Sequence, residues 1–243
     1  MKKTITLLLA LLMMMSLAAC GSNAPATGSQ DDKQASGTAA SEKTKESASD
    51  EPVDAEITES GYSVDDGFLY YSVTLHNPND DYAIEMPSYR VTAKDESGTI
   101  LGTMEHTLSV IYPGQDFEYA FQAFECDVEP ASVEFTIIPA ADYNFVKPSK
   151  LEHASFEPLE VVGANIKDDG SMPSVLGEVK NNNDYDIEDA VVVVYFRDAE
   201  GNLLGGASTF VSHVPAGGTA AFDIDVYANI ATDNFEVYAN NWI

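Results

Sequence analysis

Cysteine is nearly missing from this chain of 243 residues: only Cys20 and Cys126 are present. If Cys20 is consumed by an anchor, Cys126 has no intramolecular partner, so a disulfide framework is excluded. Basic residues are also scarce. Twelve Lys and Arg stand against 40 Asp and Glu, a net charge of −28. Such a surface repels nucleic acid and anionic headgroups, both of which need cationic partners. After residue 20 no apolar run approaches the length of a membrane span. A convincing helical period is absent throughout, which disfavours helical bundles and α/β layers.

Catalytic signatures are equally thin. The sequence has no Gly-x-Ser-x-Gly elbow and no Gly-rich phosphate loop with its lysine. His76, His106, His153 and His213 stand apart, without the His-x-x-x-His or Cys-x-x-Cys spacing that assembles zinc ligands. Cys126 lies between Glu125 and Asp127, whose charges raise a thiol pKa and weaken it as a nucleophile. It reads as a packed residue. With so many acids, pairs of carboxylates carry no information about glycosidase chemistry. No catalytic residue, cofactor or metal ligand is assigned, and the chain reads as a non-enzyme.

What is present begins with an export signal over residues 1–20. Lys2 and Lys3 form the positive end, and Ile5 to Met15 form a short apolar stretch. Leu17-Ala18-Ala19-Cys20, followed by Gly21, closes it with small residues. This tetrapeptide resembles the lipobox of bacterial lipoproteins. The resemblance implies a diacylglyceryl group on Cys20, cleavage ahead of it, and placement on the extracytoplasmic face of a cell membrane. Two acyl chains hold a protein durably, whereas one does so only marginally. Residues 21–55 are Ser, Ala, Gly, Thr and charged residues without an aromatic. They read as a disordered tether with a reach of about 30–35 Å.

The remainder contains a repeat. At a constant spacing of 103 residues, Ile84, Glu85 and Val91 match Ile187, Glu188 and Val194. Asp95, Gly98, Leu101 and Gly102 match Asp198, Gly201, Leu204 and Gly205. Asn77 pairs with Asn181 after a one-residue gap. Each copy alternates apolar and polar residues, as in Leu69-Tyr71-Val73-Leu75 and Phe222-Ile224-Val226. Period two with one apolar face marks half-buried antiparallel strands. Asp95 to Gly98 and Asp198 to Gly201 read as hairpin loops closed by glycine. The expected fold is all-β: two tandem immunoglobulin-like antiparallel β-sandwiches of seven strands each, spanning 56–147 and 148–243.

The stretch Val175 to Asn182, then Val194 to Asp198, Gly201 to Gly205 and Pro215 to Gly218, resembles the FxLYD-type domain. That is a small immunoglobulin-like sandwich of bacterial and archaeal surface proteins. The resemblance covers most of the second copy and the middle of the first. It implies a fold and no catalytic residues.

Two features remain open at this level. The loops Asn79-Asp80-Asp81 and Asn183-Asp184-Tyr185-Asp186 offer oxygen atoms of the kind calcium takes, but Asn and Asp also form turns without metal. The second feature is a difference between the copies. Ser88, Arg90 and Thr92, the outward positions of a middle strand, become Val191, Val193 and Tyr195 in the second copy. A strand apolar on both faces is normally covered on both. This contact strip is expected to meet the first module, another strand of the chain, or a partner protein.

Three functional classes follow: a displayed module that binds a protein or envelope polymer, a structural spacer, and, least favoured, an enzyme. Replacing Cys20 by Ser is expected to move the protein from the membrane pellet to the supernatant on fractionation. Retention in the pellet would reject the lipid anchor.

Overall fold

The computed structural model describes residues 51–167, 172–227 and 229–242, all within the compact unit Ala48–Ile243. The export signal, Cys20 and most of the tether lie outside the described residues. Among the described residues there is no α-helix, only two short 3-10 turns. The chain is all-β.

The first module contains β1 (Glu56–Asp65), β2 (Phe68–His76), β3 (Ala83–Glu85), β4 (Ser88–Lys94) and β5 (Ile100–Thr107). It continues with β6 (Val110–Ile111), β7 (Asp116–Glu125), β8 (Ser132–Ile138) and β9 (Phe145–Val146). The second contains β10 (Glu160–Lys167), β11 (Ser174–Lys180), β12 (Ile187–Arg197), β13 (Leu203–Val214), β14 (Thr219–Asp225) and β15 (Phe235–Asn241). Sheets β1-β2-β7 and β5-β4-β8 form the first sandwich, and β10-β11-β14 and β13-β12-β15 form the second. All pairings are antiparallel.

Each sandwich therefore has six principal strands instead of the seven expected. The chain passes from β13 to β14 through a Pro215–Gly218 turn, with Gly218 N–H donating to Pro215 C=O, and no strand intervenes. The first module has extra short pieces for a different reason. Where β12 runs unbroken, its counterpart is split into β3 and β4 at Met86-Pro87. Proline cannot donate to a ladder, and Met86 takes a positive φ of 54° before it. Met86 N–H still reaches Ser109 C=O, and Leu108 N–H reaches Pro87 C=O, so the pairing resumes beyond the break.

The hairpins close as the sequence indicates. Asp95 Oδ1 accepts from the N–H groups of Ser97 and Thr99, and Gly98 sits at φ 83°. Asp198 and Gly201, the latter at φ 89°, repeat the arrangement.

The asparagine pair is also duplicated. Asn77 donates to the carbonyls of Tyr82 and Ile111, and its own oxygen accepts from the backbone and side chain of Asn79. Asn79 in turn exchanges two hydrogen bonds with the backbone of Val53. Asn181, Asn183 and Glu157 make the same set in the second module. Residues 51–55 consequently belong to the fold and not to the tether: Val53 is clamped, Asp54 accepts from Ala140 N–H, and Ala55 is buried. Composition misplaced this boundary because the clamp lies 26 residues away in sequence.

The contact strip is covered by the first module. Val191, Val193 and Tyr195 are fully buried and share one core cluster with Leu69, Tyr71 and Val73 of β2. The opposite face of β12, Ala190, Val192, Val194 and Phe196, forms the second module's own core with Tyr70 contributed from β2. Sheets β1-β2-β7 and β13-β12-β15 are thus packed on both faces. Small residues permit the close approach. A Cβ on Gly61 would collide with the Leu203 carbonyl, and one on Gly206 would lie 2.8 Å from Ser72 Oγ.

Within this seam the Tyr195 phenol donates to Val73 C=O at 2.6 Å and accepts from Tyr119 N–H at 3.2 Å. Val73 and Tyr119 face each other across β2 and β7, so a side chain of the second module bridges a rung of the first. Tyr195→Phe keeps the ring and removes the hydroxyl that contacts both backbone groups. It is expected to lower the unfolding free energy by about 0.5–1.5 kcal/mol in chemical denaturation; an unchanged midpoint would show that the bridge contributes nothing.

Candidate binding cleft at the seam

Three sheet edges meet beside the seam: β7, β13 and β14 are each the last strand of their sheet. Edges that belong to different sheets cannot hydrogen-bond into one ladder, and a cleft of about 450 Å³ opens between them. Its base is made of small side chains, among them Ala120, Gly206 and Ala207. Ser208 Oγ donates to Ala120 C=O at 2.8 Å and ties β13 to β7 there.

The walls are aromatic. Phe121 of β7, Phe210 of β13 and Tyr227 after β14 are 38%, 51% and 66% exposed. Single exposed apolar residues are ordinary, whereas convergence of three rings on one concavity is a feature of binding sites. Tyr70 and Tyr119 complete the lining. Burial pushes the Tyr119 phenol up to about 12. Tyr70 is raised as well, first by burial and then by the charges of Asp65 and Asp66 in the β1–β2 turn. Gln122 and Asp225 add polar groups, and the Tyr227 hydroxyl lies 3.4 Å from Asp225 Oδ2.

On a different side of the seam, a second cleft is lined by Phe156, Tyr238 and Glu118. Asn240 donates to both the backbone oxygen and Oε2 of Glu118. Burial is the main cause raising the Glu118 carboxyl, opposed by the Asn240 bond. Seam polar contacts also include Arg197, whose guanidinium forks onto both oxygens of Glu59 at 2.6 and 2.9 Å while bonding Glu236. That bond is the largest cause holding Glu59 below the ordinary value.

The remaining candidates are placed in the fold. Cys126 is buried, its thiol donating to Val128 C=O and raised by burial. His76 bonds Asp116, His106 stacks beside Tyr119, and His153 lies on the Tyr185 ring. In the acidic loops the asparagine amides are engaged by backbone, Asp186 accepts from Ala216 N–H, and Asp81 meets Lys147. Among the described residues no three His, Cys, Asp or Glu side chains are grouped to hold a metal ion. The strip Val191, Val193 and Tyr195 is interior and offers no surface to a partner. The cleft is not legible in the sequence because its rings come from β7, β13 and the segment after β14, spread from residue 121 to residue 227.

No protein-family model matches the chain, and no curated protein matches it. Among solved structures, it is similar to the N-terminal CBM22-1-CBM22-2 tandem domain of Paenibacillus barcinonensis Xyn10C. The identity is 11%, over 81% of this chain and 92% of that one, with a TM-score of 0.17. A likeness this slight bears on neither fold nor ligand.

The raised Glu118 carboxyl has a defined pH signature. Its protonated form is favoured in the fold, so its contribution is present below the ordinary value of 4.5 and is lost as pH rises through the higher folded value. Glu118→Gln is expected to raise the denaturation midpoint at pH 7, with the gain fading below pH 4.5. A gain that is the same at both pH values would place its origin elsewhere.

Proposed function

We propose that this chain is a non-catalytic binding or assembly module. In this reading lipid on Cys20 holds it to the extracytoplasmic face of a cell membrane, and it is carried outward on the Ser- and Ala-rich tether. Its two sandwiches belong with the FxLYD-type surface domains, and its partner is a protein or an envelope polymer. The observation that carries the reading is the cleft where β7, β13 and β14 meet, with Phe121, Phe210 and Tyr227 left exposed around it. Exposed rings are a liability on a tethered surface protein unless something occupies them.

A spacer is the alternative, and one observation favours it. The seam, with β12 buried on both faces and Tyr195 bonded into the first module, joins the two sandwiches as a stiff pair. The two readings differ in what surface substitutions do.

Cross-linking in intact cells, followed by purification through a C-terminal tag and mass spectrometry, separates them. A binding module predicts a dominant partner whose recovery falls at least fivefold when Phe210 and Tyr227 are both replaced by Ala. A spacer predicts recovery unaffected by those substitutions, with a phenotype on shortening the tether instead.

A further inference from the structure

The charges around the seam cleft are one-sided. Asp225 lines it, and Asp65 and Asp66 act on the Tyr70 phenol at its wall. No lysine or arginine belongs to the lining. Five of the seven Lys and Arg of the described residues are paired elsewhere: Arg90 with Glu105, Lys94 with Glu134, Lys147 with Asp81, Lys180 with Glu160, and Arg197 with Glu59 and Glu236. Asp65 is bonded only by neutral donors, the backbone and amide of Asn229. The cleft therefore combines ring faces with a carboxylate that no basic side chain of its lining balances. Ring faces attract cations through their quadrupole, and guanidinium groups most of all.

The shape adds a second constraint. At the cleft the second module already bonds the β7 carbonyls of Glu118 and Ala120, and the edge opens from Phe121 and Gln122 onward, which are exposed and have no further strand beyond them in the sheet. An unpaired edge offers main-chain groups to an extended segment, with alternate side chains directed to one face.

Resting on the cleft being the binding site, we infer that it accepts an extended peptide segment of another protein. The main chain of that segment lies along β7 from Gln122 toward Glu125, and one of its arginine or lysine side chains inserts among Phe121, Phe210 and Tyr227. The inserted cation faces Asp225, with Asp65 and Asp66 at the turn beyond. Anionic polymers are repelled by the same groups.

The probe is a fluorescein-labelled decapeptide of alternating Val and Arg, compared with its Val-Glu and Val-citrulline counterparts, on the detergent-solubilised full chain. Anisotropy is read at about 0.15 M salt, where long-range attraction to the net charge is screened. The expected result is that the Arg peptide binds and that Asp225→Asn and Tyr227→Ala each weaken it at least fivefold. Glu96→Gln, in the distant hairpin loop, leaves it unchanged. Both cleft residues are exposed, so thermal melts matching the wild type are expected, and Phe210→Ala provides a second aromatic variant. Equal binding of the Arg peptide by all variants would reduce the effect to net charge and overturn the inference. Equal binding of the citrulline peptide would overturn the need for a cation. A neutral cello-oligosaccharide that binds in a Tyr227-dependent manner, while the Arg peptide does not, would overturn the peptide and leave the cleft as the site. Loss of the partner in cells without any peptide or sugar binding would separate failure of this ligand from failure of the binding reading itself.

Discussion

Burial of the Tyr195 phenol between two strands of the other module constrains everything around it. A buried hydroxyl is tolerated only when its hydrogen-bonding capacity is used, and here the phenol donates to Val73 C=O, accepts from Tyr119 N–H, and has the Thr74 hydroxyl 3.2 Å away. Satisfying it requires β12 to lie against β2 and β7 at one position, because a slide of one residue, about 3.3 Å along the strand, carries the phenol away from both backbone groups. Val191 and Val193, on the same face, then supply apolar area, and Gly61, Ser72, Ala120 and Gly206 supply the room. Apolar contact alone would allow sliding; the phenol selects one position. Arg197 extends the selection to the strand's end by gripping Glu59 of β1.

Within each module the duplicated asparagines act in a comparable way at the point where sheets are joined. Asn77 and Asn181 each bind two carbonyls, one in the following loop and one at a strand end, and each passes its oxygen to a second asparagine that fixes the chain entering the first strand of the module. An apolar residue at either place would leave buried carbonyls unmet. This is why the Asn-x-Asn spacing persists in both copies while much of the surrounding loop differs.

These devices were unevenly legible in the sequence. Alternating patterns, the Asp-to-Gly hairpins and the 103-residue repeat are local or periodic signals, and they carry the all-β class, the tandem arrangement and the asymmetric strip on β12. The role of the strip was narrower than its sequence allowed: three kinds of cover were compatible with Val191, Val193 and Tyr195, and only packing chooses among them. Pro87 carries a signal for the break between β3 and β4 that periodicity alone obscured. Residues 51–55 look like tether because composition cannot register a hydrogen bond to Asn79. The cleft was invisible, since it exists only where edges of three sheets converge, and no single segment around Phe121, Phe210 or Tyr227 departs from an ordinary strand pattern.

The same asymmetry sets the outer faces of the pair apart from the two faces that meet at the seam. A head-to-tail contact between similar modules does not close on itself and would propagate if both copies carried both faces. The outer face that is apolar in the second module carries Ser88, Arg90 and Thr92 in the first, with Arg90 paired to Glu105 and Thr92 to Thr103. At the other end, the positions equivalent to the covered Tyr70, Ser72 and Thr74 of β2 are Ser174, Leu176 and Glu178 of β11, followed by Lys180 bonded to Glu160. Charged groups desolvated against a neighbour cost more than such a contact returns. Each terminal face is therefore stable in water and poor as a stacking surface, as in the capping units of repeat proteins. What the pair leaves unsatisfied is the ring-lined cleft at its seam, which arises only because the two modules are joined.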